Sequence, residues 1–196
     1  LGVFGTCRSR AIFAVHYAGF PADMDRLSEI SKAHNLILVE DAAQALGSTW
    51  MGRKVGSLGN MAAFSFHETK NIISGKGGAL TLMRPDLIHR AEIIREKGTN
   101  RSRFLRGQID KYTWVDIGSS FLPGELIAAF LDAQLGKSQI IHTKRLSMFN
   151  TYASAFADLA SEGRVRLPLT TTQARGNGHM FYLLLKDAQD LSLIHI

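Results

Sequence analysis

The chain has 196 residues, 45% hydrophobic and 20% charged, a balance that excludes a disordered or fibrous protein and suits one globular domain with a sizeable core. Its net charge of +6 is scattered; the densest basic stretch, REKGTNRSRFLRGQIDK over residues 95–111, reads either as a solvated face or as a phosphate contact, and no nucleic-acid partner is expected. The single cysteine, Cys7, excludes an intrachain disulfide and points to a reducing, cytoplasmic setting, and no apolar run approaches the roughly 20 residues of a membrane span.

LGVFGTCRSR, residues 1–10, has no initiator Met and no clear period, and LSLIHI, residues 191–196, reads as adaptor-derived; both are expected to be non-native ends. The apolar run Ala11 to Val15 predicts a buried strand. In DMDRLSEISKAHN, Met24, Leu27 and Ile30 recur at helical spacing, with Asp23 placed to cap the start and Asn35 to close the end. LILVED, residues 36–41, predicts a second strand that stops on two acids. Strand, helix and strand in this order predict a βαβ unit and a parallel sheet covered on both faces.

STWMGRKVGS, residues 48–57, predicts an exposed hairpin, and NMAAFSFH and GGALTLM predict two further strands. DLIHRAEIIREK, residues 86–97, predicts a helix with Leu87, Ile88, Ala91 and Ile94 on its apolar face. A polar loop over 99–120 is followed by helix from Glu125 to about Ala160, broken near Gly136 and stopped by Gly163, and HMFYLLL predicts one more strand. The fold class is therefore α/β, with residues 11–135 in one unit and 136–186 as a long helix and the start of a second.

Asp41 falls at the carboxyl end of a parallel strand, where open α/β sheets bind ligands, and Ile37, Val39 and Asp41 share a face. It is placed equally to cap a following helix. Gln44, three residues on, is positioned for the same space. In FSFHETKN, residues 64–71, Ser65 and His67 share one face and Phe64 and Phe66 the other, and Lys70 follows. Gly75, Gly77 and Gly78 permit either close approach of an anion or a tight turn; GKGG lacks the spacing of a P-loop. No metal-ligand pattern is present in the sequence, and no metal is expected. An acid on one strand end, a lysine near its neighbour, and hydroxyl and glycine donors match a pyridoxal phosphate site, in which a carboxylate keeps the pyridine nitrogen protonated and a lysine binds the cofactor covalently.

VEDAAQALGS (39–48), AFSFHETKN, GKGGAL, VHYAG, AEIIREKGTNRS, FLRGQIDKYTWVDIGSSFLP and HMFY, in order from about residue 11 to 186, resemble the DegT/StrS family of nucleotide-sugar aminotransferases. Within it the chain is most similar to the bacterial branch that makes dTDP-4-amino-4,6-dideoxygalactose. The resemblance implies the large domain of a fold-type I pyridoxal-phosphate enzyme, incomplete at both ends, with mixed, mostly parallel sheet flanked by helices. It implies a homodimer with shared active sites, a dTDP-linked 4-keto-6-deoxy sugar and glutamate as substrates, and a place in surface-polysaccharide sugar biosynthesis of the enterobacterial common antigen type. By position it implies that Asp41 binds the pyridinium nitrogen, Gln44 the phenolic oxygen and Ser65 the phosphate, that Lys70 is the Schiff-base lysine, and that His67 lines the pocket. The family's GxNYRM stretch stands here as GSSFLP, so Ser120 and Leu122 replace the Asn and Arg that reach the partner subunit's cofactor, and Lys76 stands where many members carry Glu. The family's upstream phosphate loop and stacking aromatic would precede residue 11. Two other readings are a sugar dehydratase of the same fold, in which histidine typically replaces the lysine, and an inactive structural fragment.

Overall fold

The structure, a computed structural model, is described over residues 9–186, so residues 191–196 and most of 1–10 lie outside it. β1 (Ala11–Val15), α1 (Met24–Ala33) and β2 (Ile37–Asp41) form the expected βαβ unit, with β1 and β2 parallel and in register from Ala11↔Ile37 to Val15↔Asp41. The Asp23 carboxylate accepts from Arg26 N and caps α1, and Asn35 turns the chain out of it at φ 51°. β3 (Thr49–Trp50) and β4 (Arg53–Lys54) make a hairpin whose turn residues Met51 and Gly52 both have positive φ. The hairpin is not the exposed one expected: Trp50 is buried against Ala14, Met24 and Leu38, and its indole donates to Asp25 at 3.0 Å.

β5 (Met61–Ser65) lies parallel to β2, and β6 (Gly78–Leu82) returns antiparallel beside it, giving the order β1-β2-β5-β6. The glycines explain that reversal. Gly75 and Gly77 turn at φ 79° and 108°, Phe66 N donates to Gly77 O at 3.0 Å, and any side chain on Gly78 would strike the Phe64 carbonyl. The run thus makes a tight turn between β5 and β6.

α2 (Ile88–Arg95) differs from expectation. Ile93 is its buried apolar residue, whereas Ile88 and Ile94 are exposed. A tight turn over Pro85–Leu87 delays the helix start, and the end of the helix packs on the segment near residues 116–119, where Lys97 N donates to Ser119 O, Ser119 N donates to Ile94 O and the Gly98 carbonyl accepts from Asp116 N. The loop over 99–120 contains a short helix, α3 (Arg101–Leu105). Its basic character is partly neutralised: Arg101 pairs with Glu96 at 2.7 Å, and Arg106 grips Glu92 through both terminal nitrogens at 2.7 Å.

α4 (Glu125–Gly136), α5 (Ser138–Ala155) and α6 (Ala157–Ser161) fill the expected helical stretch, broken after Gly136 and ended by Gly163 at φ 69°. β7 (Val165–Arg166) follows, and β8 (Ala174–Arg175) joins β3 as a third strand of the hairpin sheet. HMFYLLL is not a seven-residue strand. Only β9 (Leu184–Leu185) pairs, with β7, because Phe181 is taken up by an aromatic cluster with Phe149, Tyr152 and Phe156, at centroid distances of 5.1, 5.4 and 6.2 Å.

The two faces of the main sheet differ. Ala14, Leu38 and Ala62 point into the core under α1 and the hairpin. Phe13, Val15 and Leu80 point the other way and are 71%, 53% and 54% exposed. The expected covering of both faces is therefore not found among the described residues, since α1 and the hairpin occupy one side only. Asp41 and Ser65 belong to the open side.

Candidate active site

The register places the polar residues on that open face. Asp41 pairs with Ala63, so Ser65 lies two residues further along the neighbouring parallel strand and on the same side. Strand geometry puts their Cα atoms about 8 Å apart, a span that one small aromatic ligand bridges. Asp41 is half-buried, and its Oδ1 accepts from Ala43 N at 3.1 Å. No helix follows β2, so Asp41 is not the helix cap expected: Oδ1 closes a local turn through Ala43, and Oδ2 is left for a ligand at the strand ends.

Gln44 is oriented by the turn after β1. Ala18 N donates to its Oε1 at 2.6 Å. Because a backbone N–H can only donate, the amide oxygen is the atom held by Ala18, and the NH₂ is left as a donor. An NH₂ suits a phenolate oxygen, so the donor set fits the ring chemistry expected of it.

β5 ends at Ser65, and the chain then turns: Ser65 Oγ accepts from His67 N at 3.3 Å, and Lys70 N donates to His67 O at 2.9 Å. Lys70 is half-buried on this turn, and the next two residues, Asn71 and Ile72, are buried and anchor it. His67 is exposed, its Nδ1 3.1 Å from Thr69 Oγ1. Ser120 is exposed on a separate segment, bridged to Glu96, and no hydrogen bond among the described residues ties it to Asp41, Ser65 or Lys70. The structure brings Asp41, Gln44, Ser65 and Lys70 to one end of the sheet and leaves Ser120 apart. An acid with a free oxygen, an amide donor, a hydroxyl and a half-buried amine fit pyridoxal phosphate by the chemistry of the set.

Two features of this end have no counterpart among the sequence-predicted residues. His16 and Glu40 are both fully buried, with His16 Nε2 3.1 Å from Glu40 Oε2. His16 Nδ1 accepts from Ala22 N at 3.1 Å, so Nε2 carries the proton and donates to the carboxylate. Glu40 also accepts from Gly56, Leu58 and Gly59 N–H groups at 2.7 to 2.8 Å. Burial alone would raise its pKa, but these four donors hold it below the usual glutamate range. The second feature is a hydrogen-bonded set of two buried amides, Asn71 and Asn177, and the half-buried His179 imidazole. Asn71 ends the FSFHETKN stretch and His179 opens HMFY; both stood in quoted motifs without a role.

Among the described residues no three His, Cys, Asp or Glu gather as a metal cluster, and no helix is long and apolar enough to cross a membrane. Residues 6–194 match the model of the DegT/DnrJ/EryC1/StrS aminotransferase family. The dTDP-3-amino-3,4,6-trideoxy-alpha-D-glucose transaminase of Streptomyces venezuelae is 35% identical over 90% of this chain and 44% of its own length. The GDP-perosamine synthase of Caulobacter vibrioides is 33% identical over 91% and 45%. The crystal structure of an aminotransferase from Psychrobacter cryohalolentis superposes with a TM-score of 0.85 at 27% identity, over 93% of this chain and 48% of that one. The chain thus spans about half the length of the relatives it matches.

Proposed function

Since the chain belongs to the DegT/DnrJ/EryC1/StrS aminotransferase family, we propose that it is part of an enzyme that moves an amino group from glutamate to the keto carbon of a dTDP-linked 4-keto-6-deoxyhexose. The cofactor is pyridoxal phosphate. The observation that carries the reading is the placement of Asp41 and Ser65 on one open sheet face at adjacent parallel strand ends, with Lys70 on the turn that follows. Bound there, the cofactor ring supplies an electron sink for the carbon that loses its proton.

The chain's own residues do the rest. Asp41 Oδ2 holds the ring nitrogen as a cation, and the Gln44 NH₂ steadies the phenolic oxygen. Ser65 Oγ donates to the phosphate, and His67 lines the exposed rim. The Lys70 amine would hold the cofactor between turnovers and, when free, would take up the proton that the amino donor's carbon loses. Ser120 serves the partner subunit's cofactor in a homodimer with shared sites, which accounts for its separation from Lys70. Residues 11–135 make up part of the cofactor domain, and 136–186 open a smaller one. The product is a sugar for surface polysaccharide of the enterobacterial common antigen type, made in the cytoplasm. A dehydratase of this fold is the second reading, and the amine at position 70 argues against it.

The test is Lys70→Ala in the full protein. The yellow absorbance of bound cofactor and amino transfer from glutamate should both disappear. A variant that kept both would overturn the assignment.

A further inference from the structure

A buried hydrogen-bonded link joins the lysine turn to the loop that carries Gln44. Asn71, directly after Lys70, donates from Nδ2 to the Asn177 carbonyl at 3.0 Å, and its Oδ1 lies 2.8 Å from His179 Nδ1. With the amide so oriented, Oδ1 only accepts, so His179 carries its proton on Nδ1 and leaves Nε2 as an acceptor. Asn177, 2% exposed, completes the link. Its Nδ2 donates to the Gln44 carbonyl at 2.8 Å and to the Leu46 carbonyl at 2.9 Å, and its Oδ1 accepts from His179 N at 3.0 Å. Apart from the local His179–Asn177 bond, these bonds cross 106 to 133 residues of sequence.

The link is held from behind. Gly178, at φ 66°, lets the backbone lie against Arg145 of α5, and the Phe181 cluster fixes the strand that follows. On the other side, a side chain at Gly19 would strike Asn177 Oδ1, and the Gly19 carbonyl accepts from the buried Ser48 hydroxyl at 2.7 Å. Burial, with the nearby Lys70 ammonium and Arg145 guanidinium, holds the His179 pKa below its ordinary value and so preserves the neutral ring that this arrangement needs.

We propose that Asn71, Asn177 and His179 are positioning residues of the active site: a buried link that fixes Lys70 against the Gln44 loop, so that the amine and the amide meeting the same ring keep one geometry. The roles of Lys70 and Gln44 rest on the proposed function above, whereas the link is a property of the chain without cofactor. A purely local staple would hold only residues 177–179. A positioning link couples two segments far apart in sequence, and misplacing a reacting group by about 1 Å costs up to a hundredfold in rate.

The test uses the full protein and Asn177→Ala, His179→Asn and His179→Leu. In the cofactor-free protein, Asn177→Ala should speed amide hydrogen exchange about tenfold in peptides covering both 42–48 and 67–75. With cofactor bound, kcat should fall about tenfold to a hundredfold with little change in KM for glutamate, and the visible band of the cofactor should shift. His179→Asn presents an N–H in place of Nδ1–H and should keep kcat within about threefold of wild type, whereas His179→Leu should not. Faster exchange confined to residues 177–179 with kcat unchanged would overturn the proposal, as would His179→Asn and His179→Leu behaving alike. Should Asn177→Ala not fold, the two His179 variants decide. If the wild-type protein bound no pyridoxal phosphate, the proposed function would fail while the exchange experiment still judged the link.

Discussion

Glu40→Gln removes a charge that no solvent reaches, and its cost follows from counting donors. Oε2 accepts from His16 Nε2 at 3.1 Å and Gly56 N at 2.8 Å, and Oε1 accepts from Leu58 and Gly59 N, both at 2.7 Å. Glutamine offers one oxygen and one NH₂. Whichever way the amide turns, two buried N–H groups face another donor. Each charge-assisted bond is worth about 1.5–3 kcal/mol, so the loss is about 3–6 kcal/mol, against a typical domain stability of about 5–15 kcal/mol.

The same carboxylate sets an acid limb. Its folded pKa lies below the unfolded value, because the four donors outweigh the opposing effect of burial. Its contribution is therefore complete above about pH 4.3 and is lost as the pH falls through the folded value. Urea denaturation of wild type and Glu40→Gln at neutral pH, repeated down the acid range, reads both effects. The variant should lose about 3 kcal/mol or more at pH 7, and the difference should shrink in acid. A loss under about 1 kcal/mol, or a difference that grew in acid, would refute the reasoning.

Asp41→Asn should lower the single-turnover rate with glutamate by several orders of magnitude while weakening cofactor binding less, since an amide cannot hold a ring nitrogen as a cation; near-normal rates would reduce Asp41 to its bond with Ala43. Gly56→Ala should cost about 2 kcal/mol or more in a thermal melt, because φ is 91° and the new methyl would strike the Phe64 ring; an unchanged melting temperature would count against that packing. His142 has its pKa lowered by burial and then by Arg145, and its buried Nε2 has no partner among the described residues. The unfolded chain takes up this proton first, so stability should decline as pH falls below about 6.5, and His142→Leu should flatten that decline. An identical pH profile in the variant would rule His142 out as its source.

Local signals in the sequence were sufficient where structure is local. The Asp23 cap, the Asn35 exit, the break after Gly136 and the Gly163 stop each depend on a few neighbouring residues, and the structure has all four. Alternation along LILVED likewise assigned faces correctly, because side-chain direction in a strand follows from its period alone, whereas in FSFH the period applies only as far as Ser65, where β5 ends. The expectations that differ depend on distant partners. The end of α2 packs on the segment near residues 116–119, and Phe181 leaves the ladder for rings on α5. Nor does any spacing announce that Asn71 and Asn177 will meet, since 106 residues separate them.

β2 shows how one stretch serves both ends. Glu40 and Asp41 are consecutive acids, and the period of two sends them to opposite faces. Glu40 enters the core, where it gathers the N–H groups of Gly56, Leu58 and Gly59 and the His16 ring into a fixed loop behind the sheet. That loop leads directly into β5, which delivers Ser65 and, after the turn, Lys70. His16 in turn leads into the turn whose Ala18 N–H orients Gln44. Shifting the register of β2 by one residue would put the wrong acid on each side: a buried aspartate too short for its donors, and a glutamate on the ligand face reaching about one methylene too far. The order Glu then Asp thus matches the proposed site, and exchanging the pair should lower stability in urea denaturation and weaken binding of pyridoxal phosphate followed by absorbance, even though charge and composition are unchanged; a double variant matching wild type in both would refute this.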